Sequence, residues 1–420
     1  MSKNQRNFFE KLQPWSKIKN DLLSTYLVPY FSKISNTRRK TFYVDCFAGQ
    51  GRFDDGNDGS PFLAMRIRDE VLRKKLGLHG EIELAFIEKE YGVILNKNLL
   101  ESFPTHESWS VISGSFESDL ATLLQPHHHE NLFLYIDPFG IKSLQYSVFQ
   151  ALASCGRFPS VEVLMNFNTF GFIRAARSIL SKSDHIPNTW DANGLIERTT
   201  AIDELVPFEA SLKTIEDLNS VANGNYWIDI VKRNANSPQG FKKAEKEFST
   251  VYRTQLSKLF KYVLKMPIGK KDGSIPEYCM YFMTDHPDGC LLMVDNMMNR
   301  SSDLRIEVQH SGQLSLFEQD VENEFVDTEK VQNDFRNFLD RILLSNEGRF
   351  VPEVKAQFFA ENGVVCKPSA LNSVLKDMER TGSITVFRDL VATAGVTNNR
   401  QRVSTSFDTK KYRILLFKHR

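Results

Sequence analysis

The chain has 420 residues, long enough for two domains or one with insertions. It is 41% hydrophobic and 25% charged, the balance of a globular core with an ordinary surface, and its net charge of +1 excludes a polycation that grips nucleic acid over its whole surface. There is no apolar run of the roughly 18 residues a membrane span needs, no apolar signal core in Met1–Glu10 and no C-x-x-C pair among Cys46, Cys155, Cys279, Cys290 and Cys366, which predicts a cytoplasmic protein with reduced, mostly buried thiols and no zinc site.

Residues 14–32 predict a helix, because Ile18, Leu22, Leu23, Tyr26, Leu27 and Tyr30 recur at helical spacing, with Pro29 kinking it or ending it early. It packs on the core, or it covers the following turn as a lid with Trp15 and Lys17 facing a ligand. Thr41-Phe42-Tyr43-Val44 is a run of β-formers that leads into Asp45-Cys46-Phe47-Ala48-Gly49-Gln50-Gly51. Gly49 and Gly51 permit a tight bend on which a ligand can lie directly against the backbone. In open α/β sheets the ligand crevice sits at the carboxyl end of such a strand. Gly59-Ser60-Pro61 opens a helix, with Ser60 as its cap and Pro61 in its first turn, and that helix N-terminus points positive partial charge at the bend.

A second strand over 81–87 ends at Glu88, placed to hydrogen-bond ribose hydroxyls, with Glu90 as competitor and a gap from the bend longer than the usual about 20 residues. A helix over 91–102 and a third strand over 108–112 follow. Then comes the turn Ser113-Gly114-Ser115-Phe116, which holds an adenine edge through Ser115 or a backbone amide, or has no ligand role. His127-His128-His129 reads as an exposed loop, since three consecutive histidines cannot face one metal.

The fourth strand, Leu132–Ile136, is wholly apolar and runs into Asp137-Pro138-Phe139-Gly140. A carboxylate at the end of a buried strand needs a partner. Lys142 is the structural choice; a ligand beside the glycine bend is the functional one. A helix over 143–155 and a fifth strand over 161–167 precede a stretch, 171–240, that reads as an inserted helical module containing Trp190, Tyr226 and Trp227. A helix over 241–259, strands over 260–267 and 278–284 joined at Lys271-Asp272-Gly273, and a helix over 287–300 complete the first domain.

Residues 314–327 are acid-rich and read as a linker. Beyond it, helices over 328–344, 352–361 and 367–381 and strands over 383–387 and 412–417 give the order of a winged helix. Residues 328–420 hold 16 Lys+Arg against 10 Asp+Glu, a local net of +6, with Arg388, Arg400, Arg402, Lys410, Lys411, Arg413, Lys418 and Arg420 in the hairpin. Such a face holds phosphates, or the domain is a protein-contact module.

The series D-x-F-A-G-x-G, an acid at the next strand end, D-P-x-G at the fourth, and a terminal hairpin resembles a class I S-adenosylmethionine methyltransferase. More narrowly, Trp15, Lys17, Tyr26-Leu27, Asp45 through Phe53, Asp58-Gly59-Ser60-Pro61, Phe86-Ile87-Glu88, Asp137-Pro138-Phe139-Gly140 and Thr284-Asp285-His286-Pro287 are similar to the three-Cys-motif partner protein (TcmP) family, over roughly residues 14–300. The family's three cysteines belong to a partner protein. The resemblance implies an α/β, Rossmann-like sheet, mostly parallel with an antiparallel terminal hairpin, to which the order of elements beyond the linker adds a small winged-helix-like α+β domain. The boundaries follow as a helical lid over 1–40, a methyltransferase-like domain over 41–312 with its insertion at 171–240, a linker over 313–327 and a winged-helix-like domain over 328–420.

It further implies S-adenosylmethionine as cofactor, held by Asp45, Phe47, Ala48, Gly49, Gly51, Ser60, Glu88, Ser115 and Lys17. Asp137, Pro138 and Phe139 would be catalytic, and a three-Cys-motif protein would be a partner; separately, the local basic charge of 328–420 points to nucleic acid on the C-terminal domain. Enzymes that methylate nucleobase amines carry D-P-P-Y at the fourth strand; here Phe139 replaces the second proline and Gly140 the aromatic, so Phe139 is left to stack the base. Ser115 stands where many such enzymes have Asp. These departures favour the alternative of a cofactor-binding partner protein without transfer activity. A nicotinamide-dependent oxidoreductase ranks last, because the bend is not G-x-G-x-x-G.

Overall fold

The computed structural model describes residues 14–37, 39–74, 80–104, 108–182, 214–268, 276, 278–310, 328–344, 347–390, 407 and 412–418. Trp190, the Lys271-Asp272-Gly273 turn, the acidic linker and Arg400, Arg402, Lys410, Lys411 and Arg420 lie outside them. The chain divides into two compact units, residues 1–285 with 303–313, and residues 286–302 with 314–420. Residues 286–302, read from sequence as the end of the first domain, thus belong to the second unit.

The first unit is built on a seven-stranded sheet of order β3-β2-β1-β4-β5-β7-β6. Its strands are β1 (Thr41–Asp45), β2 (Ile82–Ile87), β3 (Trp109–Ile112), β4 (Asn131–Ile136), β5 (Ser160–Phe167), β6 (Tyr262–Ile268) and β7 (Tyr278–Thr284). The first five pair in parallel, while β7 runs antiparallel to both β5 and β6. This is the expected Rossmann-like sheet with an antiparallel terminal hairpin. Every residue of β1 and β4 is buried, as central parallel strands covered on both faces must be.

Alternation assigns the faces. Phe42, Val44, Leu132, Leu134, Ile136, Val163, Met165 and Phe167 join one continuous core. On that side lie α4 (Phe116–Leu124), α5 (Tyr146–Ser154), α6 (Thr169–Lys182), α7 (Ile215–Ala222), α8 (Tyr226–Asn234) and α9 (Gly240–Leu256), following α1 (Pro14–Ile34), α2 (Ser60–Lys74) and α3 (Gly92–Ser102) in the chain. The region read as an inserted module is therefore, where described, one wall of the core. Phe172 stacks on Phe248 at 4.1 Å, edges onto Trp227 at 6.1 Å, and Phe167 meets Tyr252 at 4.8 Å. Sequence reading missed this because the strand period stops at Phe167, while the aromatics of α9 recur at helical spacing and face the sheet.

The opposite face carries α1. Phe31 edges onto Tyr43, Tyr26 and Tyr30 pack on Phe133 at 5.8 and 5.2 Å, and Tyr26 contacts Phe282 at 5.0 Å. Pro29 does not stop this helix, which runs on to Ile34. The buried Tyr30 and Phe31 beyond the proline hold the last turns by packing. Nor is the histidine run only a surface loop: His127 is buried, stacks on Phe42 at 3.7 Å, and its Nδ1 meets Glu130 at 2.5 Å.

The second unit contains the start of α10 (Pro287–His310), then α11 (Thr328–Ile342), α12 (Val351–Asn362), a 3-10 turn (Pro368–Leu371) and α13 (Asn372–Arg380). A three-stranded antiparallel sheet of order β8-β10-β9 completes it, from Arg349–Phe350, Tyr412–Lys418 and Ile384–Leu390. Its core is aromatic: Phe335 and Phe338 edge onto Phe358 at 5.0 and 5.5 Å. Among the described residues, no helix of either unit is long and apolar enough to cross a membrane.

Beneath α1, β5 places a carboxyl in the apolar layer. Tyr26 Oη donates to Glu162 Oε2 at 2.6 Å and Thr284 Oγ1 to Oε1 at 3.5 Å. Burial pushes this carboxyl up to about 7 despite those donors. Its unfolded value is about 4.3. The fold thus favours the protonated acid, and this stabilisation is complete below about pH 4.3 and lost as pH rises to about 7. Glu162→Gln removes the titration. Between pH 5 and pH 8 the wild type is expected to lose roughly 2–3 kcal/mol of unfolding free energy relative to the variant in urea denaturation. A pH-independent difference would refute it.

Candidate active site

The sheet order reverses between β1 and β4, since the chain leaves the β3 edge and returns to lay β4 on the other side of β1. Ligands of open α/β sheets bind outside the strand carboxyl ends at such a switch point. Both motifs singled out from sequence flank it: the glycine bend follows β1 and Asp137 follows β4.

The bend is held from three sides. Cys46 N donates to Tyr135 O at 2.9 Å and Ala48 N to Ile87 O at 3.1 Å, tying it to the strands on either flank. Gly59 N closes it by donating to Gly51 O at 2.8 Å. Gly49 and Gly51 take φ of +62° and +83°, which disfavours any side chain. At Gly51 packing adds a second reason: a Cβ would lie 2.7 Å from Leu95 and 2.9 Å from Phe62. The bareness of Gly51 lets α2 and α3 close on the bend, rather than opening it to a ligand.

Glu88 organises the same bend. Its Oε2 accepts Gly49 N at 2.8 Å, and its Oε1 accepts Glu90 N at 2.9 Å and Tyr91 N at 3.1 Å. Three of a carboxylate's roughly four acceptor positions are thus taken by backbone, leaving one for a hydroxyl. Glu90, the sequence competitor, is exposed. Ser115 is the N-cap of α4, its Oγ accepting Ser118 N at 3.4 Å, while Ser115 N donates to Asp119 at 2.8 Å. Its polar groups serve the helix start. Phe47 is half-buried with its ring 5.3 Å from Phe116, Ala48 is buried, Lys17 is exposed, and the Trp15 side chain lies outside the description.

At the strand ends, acids converge. Asp45 is wholly buried, and its Oδ1 accepts Phe47 N at 3.3 Å. Burial pushes its carboxyl up to about 7; the Ser60 hydroxyl and Phe47 amide oppose this, while the charges of Asp137 and Glu88 reinforce it. Asp137 is paired, though not with Lys142. Lys19 Nζ, from α1, donates to both its oxygens at 2.9 and 2.7 Å, Asn166 Nδ2 donates at 2.7 Å, and Tyr135 Oη lies 3.4 Å away. The Lys19 side chain is only 8% exposed and that of Asp137 21%. Pro138 is half-buried and the Phe139 ring is 37% exposed at the same strand end.

Two acceptors here have no hydrogen-bond donor among the described residues, the buried Asp45 Oδ2 and Asn166 Oδ1. Such atoms are costly unless a ligand or water meets them. Among the described residues no cluster of His, Cys, Asp or Glu is arranged to hold a metal. A cavity of about 250 Å³ between α4 and α5, lined by Phe116, Leu120, Val148, Leu152 and Cys155, belongs to the other face of the sheet and to none of these groups.

Lys19, Tyr135 and Asn166 were missed from sequence. Lys19 carried a signal: it shares the apolar stripe of Leu23, Tyr26 and Tyr30, where a lysine must reach an acid. Asn166 is in step with Glu162 on alternate positions of an otherwise apolar strand. Lys19→Met leaves a largely buried carboxylate with Asn166 and Tyr135 alone. It is expected to destabilise the protein by roughly 3 kcal/mol in chemical denaturation, and adding Asp137→Asn is expected to recover much of that loss. Strictly additive effects would show that the pair is not coupled.

No family model matches the sequence, and no curated protein matches it. The solved structures that match include a conserved hypothetical protein from Streptococcus pyogenes, at 15% identity and TM-score 0.22 over 31% of this chain and 69% of that one. The plantazolicin methyltransferase BamL, in complex with a triazolic desmethylPZN analog and SAH, matches at 10% identity and TM-score 0.31 over 68% of this chain and 92% of that one. Loganic acid methyltransferase with SAH matches at 10% identity and TM-score 0.27, over 67% and 94%.

Proposed function

We propose that this chain is an S-adenosylmethionine-dependent methyltransferase of the three-Cys-motif partner type, acting on a nucleobase amine or another nucleic-acid group. One observation carries the reading. The glycine bend and Asp137 flank a single switch point, and the acceptors Asp45 Oδ2 and Asn166 Oδ1 stand there buried and unsatisfied. Unsatisfied acceptors beside three acids suit a cationic nucleoside, and S-adenosylmethionine brings both a sulfonium and an ammonium. When bound, it supplies an electrophilic methyl group.

The chain's own residues supply binding and alignment. Gly49 and its neighbours Phe47 and Ala48 form the floor, Glu88 keeps one acceptor position for a ribose hydroxyl, and α1 with Lys17 covers the edge. Asp137 accepts the substrate's N–H, which draws the amine lone pair out of the ring and toward the methyl. Lys19 Nζ now occupies the place of that donor: it is an N–H group already seated on Asp137, and the incoming amine replaces it. The exposed Phe139 offers a stacking surface for an unpaired base. The second unit is read as a winged helix that holds nucleic acid. Arg388, assigned from sequence to phosphate, is instead bound by Glu379 at 2.7 and 2.6 Å and lies over Phe407 at 4.8 Å.

Asp137→Ala is expected to abolish methyl transfer, by at least about 100-fold, while S-adenosylmethionine binding survives. Radiolabelled transfer to DNA, RNA and cell protein, with calorimetry of the cofactor, reads both. Binding without transfer in the wild type would leave the chain a partner of another enzyme, and no binding would end the proposal.

Asp45 adds a pH dependence. Its carboxyl is raised to about 7 by burial, so the anion that attracts a cation accumulates only above that pH. Cofactor affinity is expected to rise by up to about tenfold from pH 6 to pH 8 in calorimetric titration, and to stay flat in Asp45→Asn. A falling affinity would contradict the role of Asp45.

A further inference from the structure

The terminal hairpin brings to the candidate site an aromatic residue that sequence reading placed only in a strand. Because β7 runs antiparallel to β5, its first residues lie beside the carboxyl end of that strand. Phe167, the last residue of β5, pairs with Cys279, and Tyr278 stands one place beyond that pair. Alternation fixes its face. Cys279, Tyr281 and Met283 join the core on the side of α6 to α9, while Phe282 meets Tyr26 of α1 and Thr284 reaches Glu162. Tyr278 shares the α1 face with the latter two, on the side of Asn166, whose Nδ2 donates to Asp137. Its ring is half-exposed and centred 5.4 Å from Lys19 Nζ, the ammonium seated on both oxygens of Asp137.

We infer that Tyr278 is the ring on which the substrate's base stacks while its amine sits on Asp137, the part that Gly140 leaves unfilled and that Phe139 would otherwise carry alone. The inference rests on the nucleobase-amine reading of the preceding section and names a specificity residue for it. Lys19 Nζ marks a point where an N–H donor meets this carboxylate, so what surrounds that atom also surrounds an incoming amine. Offset-stacked rings have their centroids roughly 4.5–7 Å apart. A donor 5.4 Å from the Tyr278 centroid fits an amine carried on a base stacked there. An aromatic face also receives a cation, so the same ring holds the lysine until the exchange. The two occupants exclude each other, since a base takes both the carboxylate and the ring from Lys19. Asn166 and Tyr135 go on holding Asp137 when the lysine leaves, so the carboxylate keeps its aim. A base with a carbonyl in the amine's place sets acceptor against acceptor and is refused.

The test uses the full chain in excess S-adenosylhomocysteine, which keeps adenine out of the cofactor's place. Fluorescence anisotropy follows labelled six-nucleotide strands of C, of A, of alternating A and G, and of T or U, as DNA and as RNA. At least one amine-bearing strand is expected to bind at least about tenfold more tightly than the T or U strand. Tyr278→Leu keeps an apolar side chain on the hairpin without a π-face. It is expected to weaken the tightest strand by about tenfold or more, with Tyr278→Phe and Tyr278→Trp retaining it. Thermal melting checks that the variants fold, and calorimetry is expected to find S-adenosylhomocysteine affinity changed by no more than about twofold. Unchanged or tighter strand binding in Tyr278→Leu would assign the ring to Lys19 alone and overturns the inference. Equal binding of the T or U strand, loss of binding in Tyr278→Phe, or no strand binding by the wild type also overturns it. The two readings fail separately. Ring-dependent strand binding without cofactor binding refutes the methyltransferase and leaves the stacking role, whereas methyl transfer untouched by Tyr278→Leu refutes the stacking role alone.

Discussion

One carboxylate sets the shape of the candidate site. Glu88 gathers the amides of Gly49, Glu90 and Tyr91, so the bend after β1 and the start of α3 share a single anchor. Hydrogen bonds to an ionised acceptor are the strong ones, and three on one group fix geometry as well as energy. The left-handed angles at Gly49 and Gly51 persist because this anchor, the closure from Gly59 and the contact of Leu95 and Phe62 with Gly51 determine them from several directions. A floor fixed in this way is preorganised: nothing in it needs to be ordered when a ligand arrives.

Around that floor the distribution of charge is lopsided. Asp45, Glu88 and Asp137 gather at neighbouring strand ends, and the buried Lys19 ammonium reaches Asp137. Asp45 responds by holding its proton more tightly, which is how a buried acid avoids an unpaired charge. The other end of the α1 contact follows the same economy with Glu162, a second acid that burial favours in its neutral form. Helix α1 is therefore fastened to the sheet by an apolar stripe and by two polar contacts of different kinds, an ion pair at Lys19 and a neutral hydrogen bond at Tyr26.

The frame of the first unit was legible in the residues. Apolar runs as short as Leu132–Ile136, bounded by glycines and acids, read as central strands, and the glycines and acids just after them mark the carboxyl edge. What was not legible has local physical reasons. The partner of Asp137 is Lys19, 118 residues away, and no periodicity links positions brought together only by tertiary packing. Glu88 looked free to meet a ribose because sequence does not show backbone amides, and it is those amides that claim most of it. Gly51 looked like a ligand contact, yet the atoms that exclude a side chain there belong to Leu95 and Phe62. His127 looked exposed because its neighbours are histidines; its stacking on Phe42 depends on where β1 lies.

The Lys19–Asp137 contact has one more consequence. Because Asp137 already holds the Lys19 ammonium, any other donor approaching this carboxylate would have to out-compete a tethered rival at high local concentration. On the proposed function, a substrate with binding energy elsewhere along its length would win that exchange where a lone donor would not. Residue 19 would then set the threshold for admission, adjustable by how firmly α1 is seated, without altering the atoms of Asp137 itself.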